Sequence, residues 1–110
     1  MFKFELKSIH EDDRERIKGN YEKYFKYYHN KYEVAKRLQP GIILEIGVRA
    51  GYSALAFMQA CQDALLVGYD SNDGKHSGAK GLKYHNWAWD ILKRYNVRLN
   101  PDFDTQTVES

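Results

Sequence analysis

The stretch LEIGVRAGYSALAF, residues 44–57, decides how this chain should fold. An apolar run ends at Glu45, two glycines follow at positions 47 and 51, and helix-forming residues come next. A short run as apolar as IILEIG is typical of a strand that is buried on both faces of a sheet. Gly47 and Gly51 predict a tight turn, because glycine adopts backbone conformations that other residues avoid. The stretch therefore predicts a buried strand, a tight turn and a helix.

Further along the chain, the same alternation continues. ALLVGYD (64–70) predicts a second buried strand ending at Asp70, and residues 84–95 predict a helix. NVRLNPDFD (96–104) predicts a third strand, which Pro101 weakens because proline cannot donate a ladder hydrogen bond. Strands that alternate with helices indicate a parallel sheet with right-handed crossovers. We predict an α/β fold with a Rossmann-like, doubly wound sheet of about three strands.

The N-terminal part of the chain divides into two segments. Residues 1–20 are polar and charged, which predicts a mobile arm or a short exposed helix, and residues 21–110 would form the domain proper. A helix rich in tyrosine and lysine opens that domain at 21–38, with aromatic residues at helical spacing. Such a helix could stack on RNA bases and contact phosphates. The helical period favours the alternative, in which the aromatic stripe packs on the sheet.

Composition limits the possible classes of protein. The chain has 110 residues, enough for one small domain, and its net charge of +2 argues against nucleic acid as a partner. No apolar run reaches the roughly 18 residues of a membrane span. Cys61 is the single cysteine, so no internal disulfide can form, and we predict a cytoplasmic protein. Asp73 and His76 are too few ligands for a structural metal site, so none is predicted.

The glycine turn and the end of the second strand together predict a nucleoside site. A helix N-terminus favours an anion or a polar ligand group, and ligands of parallel sheets bind at the carboxyl ends of the strands. Asp70 would lie there and accept hydrogen bonds from ribose hydroxyls. One alternative is that the turn merely connects the strand to the helix, but this alternative does not explain Glu45. A dinucleotide-dependent oxidoreductase would have glycine where Arg49 stands. Asp70 as an ordinary solvated strand end remains an alternative.

Two motifs resemble a known family. ILEIGVRAGYSA (43–54) resembles the first motif of the class I S-adenosylmethionine-dependent methyltransferases, and LVGYD (66–70) resembles their second motif. The form with Arg49 is similar to that of the macrocin-type O-methyltransferases. The resemblance covers roughly residues 40–106. It implies S-adenosylmethionine as the cofactor. Gly47, Arg49 and Gly51 would surround its methionine part, and Glu45 would support the loop and help to hold the ammonium. Asp70 would bind the ribose, and Asp104, beside Gln106, would lie near the adenine.

The resemblance also implies an activity. A complete enzyme of this family would transfer a methyl group to an oxygen or nitrogen of a small-molecule acceptor. Its sheet has more strands than the three predicted here, so we expect the N-terminal half of such a domain, inactive alone and with unassigned catalytic residues. An incomplete sheet predicts a homo-oligomer, formed through the open sheet edge or the aromatic helices. The alternative function is a non-catalytic nucleoside- or RNA-binding module.

Overall fold

A computed structural model describes residues 1–70 and 83–100 of the chain. These residues form an α/β structure with one parallel sheet of three strands, which lie side by side in the order in which they occur along the chain. The α/β class and the parallel sheet that the sequence predicts are thereby confirmed. A 3₁₀ turn at Leu6–Ser8 precedes seven elements: α1 (Glu11–Gly19), α2 (Tyr21–Leu38), β1 (Ile42–Ile46), α3 (Tyr52–Ala60), β2 (Leu65–Tyr69), α4 (Lys83–Leu92) and β3 (Val97–Asn100).

The register of the sheet brings the strand ends together. Ile46 at the end of β1 pairs with Tyr69, which in turn pairs with Asn100 at the end of β3. The Gly47 N–H extends this ladder by donating to the Tyr69 carbonyl at 2.8 Å. The glycine turn and Asp70 therefore begin at the same edge of the sheet, as parallel strands require.

Helices α3 and α4 cover one face of the sheet. Ile43 and Leu66 point from β1 and β2 toward Leu55 and Met58 of α3 and Leu92 of α4, and Leu66, Met58 and Leu92 have no solvent exposure. Helix α2 packs on α3 rather than directly over the centre of the sheet. A doubly wound sheet would carry helices on both faces. Among residues 1–70 and 83–100 no helix lies on the second face.

The first 20 residues differ from the exposed arm that their charge predicts. Phe2, Phe4, Ile9 and Ile17 are at most 3 % exposed. Phe4 lies against Tyr28 of α2 with the two ring centroids 4.9 Å apart. Burying large apolar side chains is worth about 1.5–3 kcal/mol each, which outweighs the polarity of the residues between them. The N-terminal segment is therefore part of the core. The prediction of an exposed arm was wrong because it relied on the average polarity of the segment and not on the few apolar residues that anchor it.

The aromatic stripe of α2 packs inward, as its helical period predicts. Tyr32 and Ala35 are buried, and Phe25 and Tyr28 are half-buried against the N-terminal segment. The surface that receives the stripe is formed by α3 and residues 1–17, not by the sheet itself. No helix in the described part of the chain is both long and apolar enough to cross a membrane.

Strand β1 is not buried on both faces, in contrast to the prediction from its apolar sequence. Ile42, Leu44 and Ile46 are 70 %, 62 % and 56 % exposed, on the sheet face opposite the helices. Strand β1 is also an edge strand of the described sheet. A contiguous apolar surface beside an open strand edge is a common protein–protein contact.

We expect this face of β1 to associate with a second copy of the chain. Leu44→Lys should weaken self-association, because it places a charge in the centre of the apolar surface. Sedimentation equilibrium over micromolar concentrations measures the effect, with Val34→Lys on the exposed surface of α2 as the control. A mass that stays at 12.9 kDa for the unmodified chain at every concentration would contradict the expectation.

Candidate functional site

The turn between β1 and α3 has an unusual backbone. Gly47, Arg49 and Gly51 all have positive φ angles, at 88°, 51° and 91°. The two glycines adopt this conformation readily, whereas a residue with a Cβ pays about 1–2 kcal/mol for it. The Gly51 N–H closes the turn by donating to the Val48 carbonyl at 3.0 Å. A conformation this costly at Arg49 requires compensating contacts around it.

The two glycines serve different purposes. A Cβ on Gly47 would meet no atom within 4 Å among residues 1–70 and 83–100. A Cβ on Gly51 would lie 3.0 Å from Ala88 Cβ and 3.2 Å from Leu92 Cδ1 of α4. The resemblance placed both glycines around the methionine part of the cofactor. In the structure, Gly51 instead lets α4 approach the turn, whereas Gly47 has no close neighbour among the described residues.

Asp70 joins the end of β2 to the glycine turn. Its carboxylate Oδ2 accepts a hydrogen bond from the Arg49 backbone N–H at 2.5 Å, and its own N–H donates to the Asn100 carbonyl at 3.2 Å. The residue is 8 % exposed. A carboxylate bonded by a backbone N–H is held firmly, because hydrogen bonds to charged groups are stronger than neutral ones. The structure thus brings Asp70 together with the turn, as the sequence predicts.

Glu45 is the second carboxylate at this edge of the sheet. It pairs with Gly68 in the register and therefore points to the face covered by helices. Its Oε2 atom is buried and has no hydrogen-bond partner among the described residues. Burial raises the pKa of Glu45 to about 7; Lys31 opposes this shift and Asp70 adds to it. A buried carboxylate oxygen without a partner is costly, so Oε2 is suited to accept from a cation or a donor group.

The side chain of Arg49 turns toward α1. Its Nη1 and Nη2 donate to the two carboxylate oxygens of Asp13 at 2.8 and 2.9 Å. The Tyr52 hydroxyl donates to the same carboxylate at 2.7 Å, and Arg16 Nη2 donates at 3.1 Å. Burial opposes the ionisation of Asp13, but the hydrogen bonds from Arg49 and Tyr52 outweigh it and lower the pKa to about 2. Asp13 is thus a stable anion inside the protein.

A second contact ties α1 to the start of α4. Asp12 Oδ2 accepts hydrogen bonds from Lys83 Nζ at 2.6 Å and from the Tyr84 hydroxyl at 2.7 Å. The guanidinium of Arg49 lies over the Tyr84 ring, 4.2 Å from its centroid, in a favourable cation–π geometry. The neighbouring residues Asp12 and Asp13 therefore connect the glycine turn to α4.

Sequence reasoning missed Asp12, Asp13, Tyr52 and Tyr84. One signal for Asp13 was present: Ile9 and Ile17 lie four residues before and after it, so all three share the apolar side of the N-terminal segment. A carboxylate on a buried helix face requires a partner. The identity of that partner, 36 residues away, had no local signal.

A small cavity lies between the turn, Asp70 and α4. Val48, Gly68, Ala88 and Leu99 line it with Asp70, and its volume is about 10 Å³, roughly that of one water molecule. A Cβ on Gly68 would lie 2.6 Å from Val48 Cγ2, so the absence of a side chain at Gly68 lets Val48 of the turn pack closely on β2. This cavity is too small for a nucleoside, and two larger cavities, of about 510 and 610 Å³, lie along the N-terminal segment rather than at the turn.

Two of the predicted positions lie outside the described residues. Asp104, assigned to the adenine by resemblance, is one, and the loop with Asp73 and His76 is the other. Within residues 1–70 and 83–100, no group of three or more His, Cys, Asp or Glu side chains is arranged to hold a metal ion.

In comparisons with known proteins, no family matches the chain and no curated protein matches it.

Proposed function

We propose that this chain is the S-adenosylmethionine-binding portion of a methyltransferase that acts on an oxygen or nitrogen of a small molecule. The observation that carries the proposal is the pairing of Asp70 with the backbone of the glycine turn at the carboxyl ends of parallel strands. Ligands bind at this position in open α/β sheets. The two sequence motifs support the choice of nucleoside.

The charges at the site suit this cofactor. S-adenosylmethionine supplies an activated methyl group, and its methionine end carries an ammonium. Glu45 would accept from that ammonium, because its Oε2 is buried and lacks a hydrogen-bond partner among the described residues. Asp70 would accept from the ribose hydroxyls, because it follows β2 at the carboxyl ends of the strands, where ligands of parallel sheets bind. Gly47 would border the ligand, and Asp104 would contact the adenine.

The protein's contribution to such a reaction would be mainly positional. Holding a methyl donor and its acceptor in line can supply about 7–11 kcal/mol of the barrier without any covalent step on the protein. The turn, which is hydrogen-bonded to Asp13 of α1 and to Asp70 after β2, would supply this orientation on the cofactor side. Binding of the nucleoside without turnover by the isolated chain would point to the alternative, a nucleoside-binding module.

Calorimetric titration with S-adenosylhomocysteine tests the proposal. Asp70→Asn keeps an oxygen for the Arg49 N–H but loses the charge, and we expect about a tenfold loss of affinity, or about 1.4 kcal/mol. Asp63→Asn, an exposed carboxylate before β2, is the matched control and should bind normally. Equal affinities for the two variants would remove Asp70 from the site. Binding of NAD in place of S-adenosylhomocysteine would overturn the proposal and favour the oxidoreductase alternative.

A further inference from the structure

We propose that Asp13 is a positioning residue of the nucleoside site, which acts through Arg49 to hold the glycine turn in its ligand-binding shape. This inference rests on the function proposed above. It assigns a role in the site to the N-terminal segment, which contains neither of the two sequence motifs. Asp13 itself need not touch the ligand.

Asp13 is built into the protein as a fixed acceptor. It is 2 % exposed, and its two oxygens accept four hydrogen bonds from Arg49, Tyr52 and Arg16. The two bonds from Arg49 are parallel, and such fork-shaped pairs define direction as well as distance. A buried carboxylate with this set of partners holds the guanidinium in one place.

The fixed guanidinium has a consequence for the backbone that carries it. Arg49 has a φ of 51°, which a non-glycine residue adopts at a cost of about 1–2 kcal/mol. In that conformation its side chain reaches Asp13 while its N–H points to Asp70 Oδ2. One residue thus links the α1 carboxylate to the carboxylate proposed to bind the ribose. Release of the side chain would let the backbone relax and weaken the Asp70 bond.

The surrounding contacts reinforce this link. Tyr52, the first residue of α3, donates to Asp13 and accepts from the His10 N–H at 2.8 Å, so the residues that enter α1 are tied to the residues that leave the turn. Asp12 holds Tyr84, whose ring lies under the Arg49 guanidinium. Arg49 is therefore held between two carboxylates and an aromatic ring, and its conformation depends on the docked N-terminal segment.

The test is an NMR measurement on the ligand-free protein. Asp13→Asn removes the charge and one acceptor, and we expect the Arg49 amide proton to move upfield as its bond to Asp70 lengthens. The amides of α2 should keep their positions. Glu15→Gln, an exposed carboxylate on the same helix, is the control and should leave the Arg49 amide unchanged. A purely structural anchor for α1 would not change this one amide selectively.

Affinity for S-adenosylhomocysteine provides the second measurement. We expect Asp13→Asn to bind about tenfold more weakly than Glu15→Gln. Should Asp13→Asn fail to fold, Tyr52→Phe removes one donor to Asp13 and should produce smaller changes in the same directions. An unmoved Arg49 amide, or an affinity equal to that of the control, overturns the inference and leaves the proposed function standing. A responsive amide in a chain that binds no S-adenosylhomocysteine overturns the proposed function, and the coupling between Asp13 and the turn stands.

Discussion

Gly51→Ala is expected to lower the free energy of unfolding by about 2–5 kcal/mol. Part of the loss is backbone strain of about 1–2 kcal/mol, because φ at this position is 91°. The remainder is overpacking, typically 1–3 kcal/mol, since the new Cβ would lie 3.0 Å from Ala88 Cβ in the interior of the protein. Urea denaturation of the ligand-free chain measures the change.

Gly47→Ala is the matched control for this variant. Gly47 has nearly the same φ, 88°, but a Cβ there would meet no atom within 4 Å in the described part of the chain. Its substitution should therefore cost only the strain of about 1–2 kcal/mol. Equal losses of stability for the two variants would show that the contact between Gly51 and α4 does not matter. The comparison separates backbone conformation from packing within one turn.

Glu45→Gln is expected to stabilise the ligand-free protein at alkaline pH. The pKa of Glu45 is raised from 4.5 to about 7, so folding favours the protonated carboxyl. The stability that this preference contributes is fully present below pH 4.5 and is lost as the pH rises through 7. Because Glu45 is partly exposed, we expect a loss of about 2 kcal/mol rather than the full shift. Glutamine cannot ionise and does not suffer this loss.

The measurement compares unfolding free energies at pH 5 and pH 8.5. The difference between Glu45→Gln and the unmodified chain should grow by about 2 kcal/mol between the two values. Glu22→Gln, an exposed carboxylate at the start of α2, serves as the control and should show little change. A difference that does not depend on pH would mean that Glu45 is ionised at no cost. Saturating S-adenosylhomocysteine should reduce the difference, because its ammonium would stabilise the charged carboxylate.

Local sequence patterns were sufficient to predict the strands whose carboxyl ends form the candidate site. The apolar runs around Leu44 and Leu66, each followed by a carboxylate and a change of composition, predicted β1 and β2 and the ends at which the site lies. The period of α2 predicted its buried stripe. These features depend on residues adjacent in the chain, so alternation and helical spacing are enough to find them.

The candidate site was predictable only in part. Glu45, Gly47 and Asp70 lie at one sheet edge because consecutive parallel strands have their carboxyl ends together, which is a rule of topology. No comparable rule predicts which residue the Arg49 side chain contacts. Its partner Asp13 lies on a helix in the segment that appeared to be a charged arm, and long-range pairs of this kind leave no trace in local composition.

The sequence by itself determined the α/β class, the parallel sheet, the position of the turn and the two carboxylates at the strand ends, because each follows from short-range pattern and chain connectivity. Only the tertiary structure decided that Phe2, Phe4 and Ile9 are core, that Gly51 admits α4, and that one face of β1 is exposed. Each of these depends on which surfaces meet after folding. Burial and pairing depend on these tertiary contacts, since a residue's neighbours in space come from distant parts of the chain.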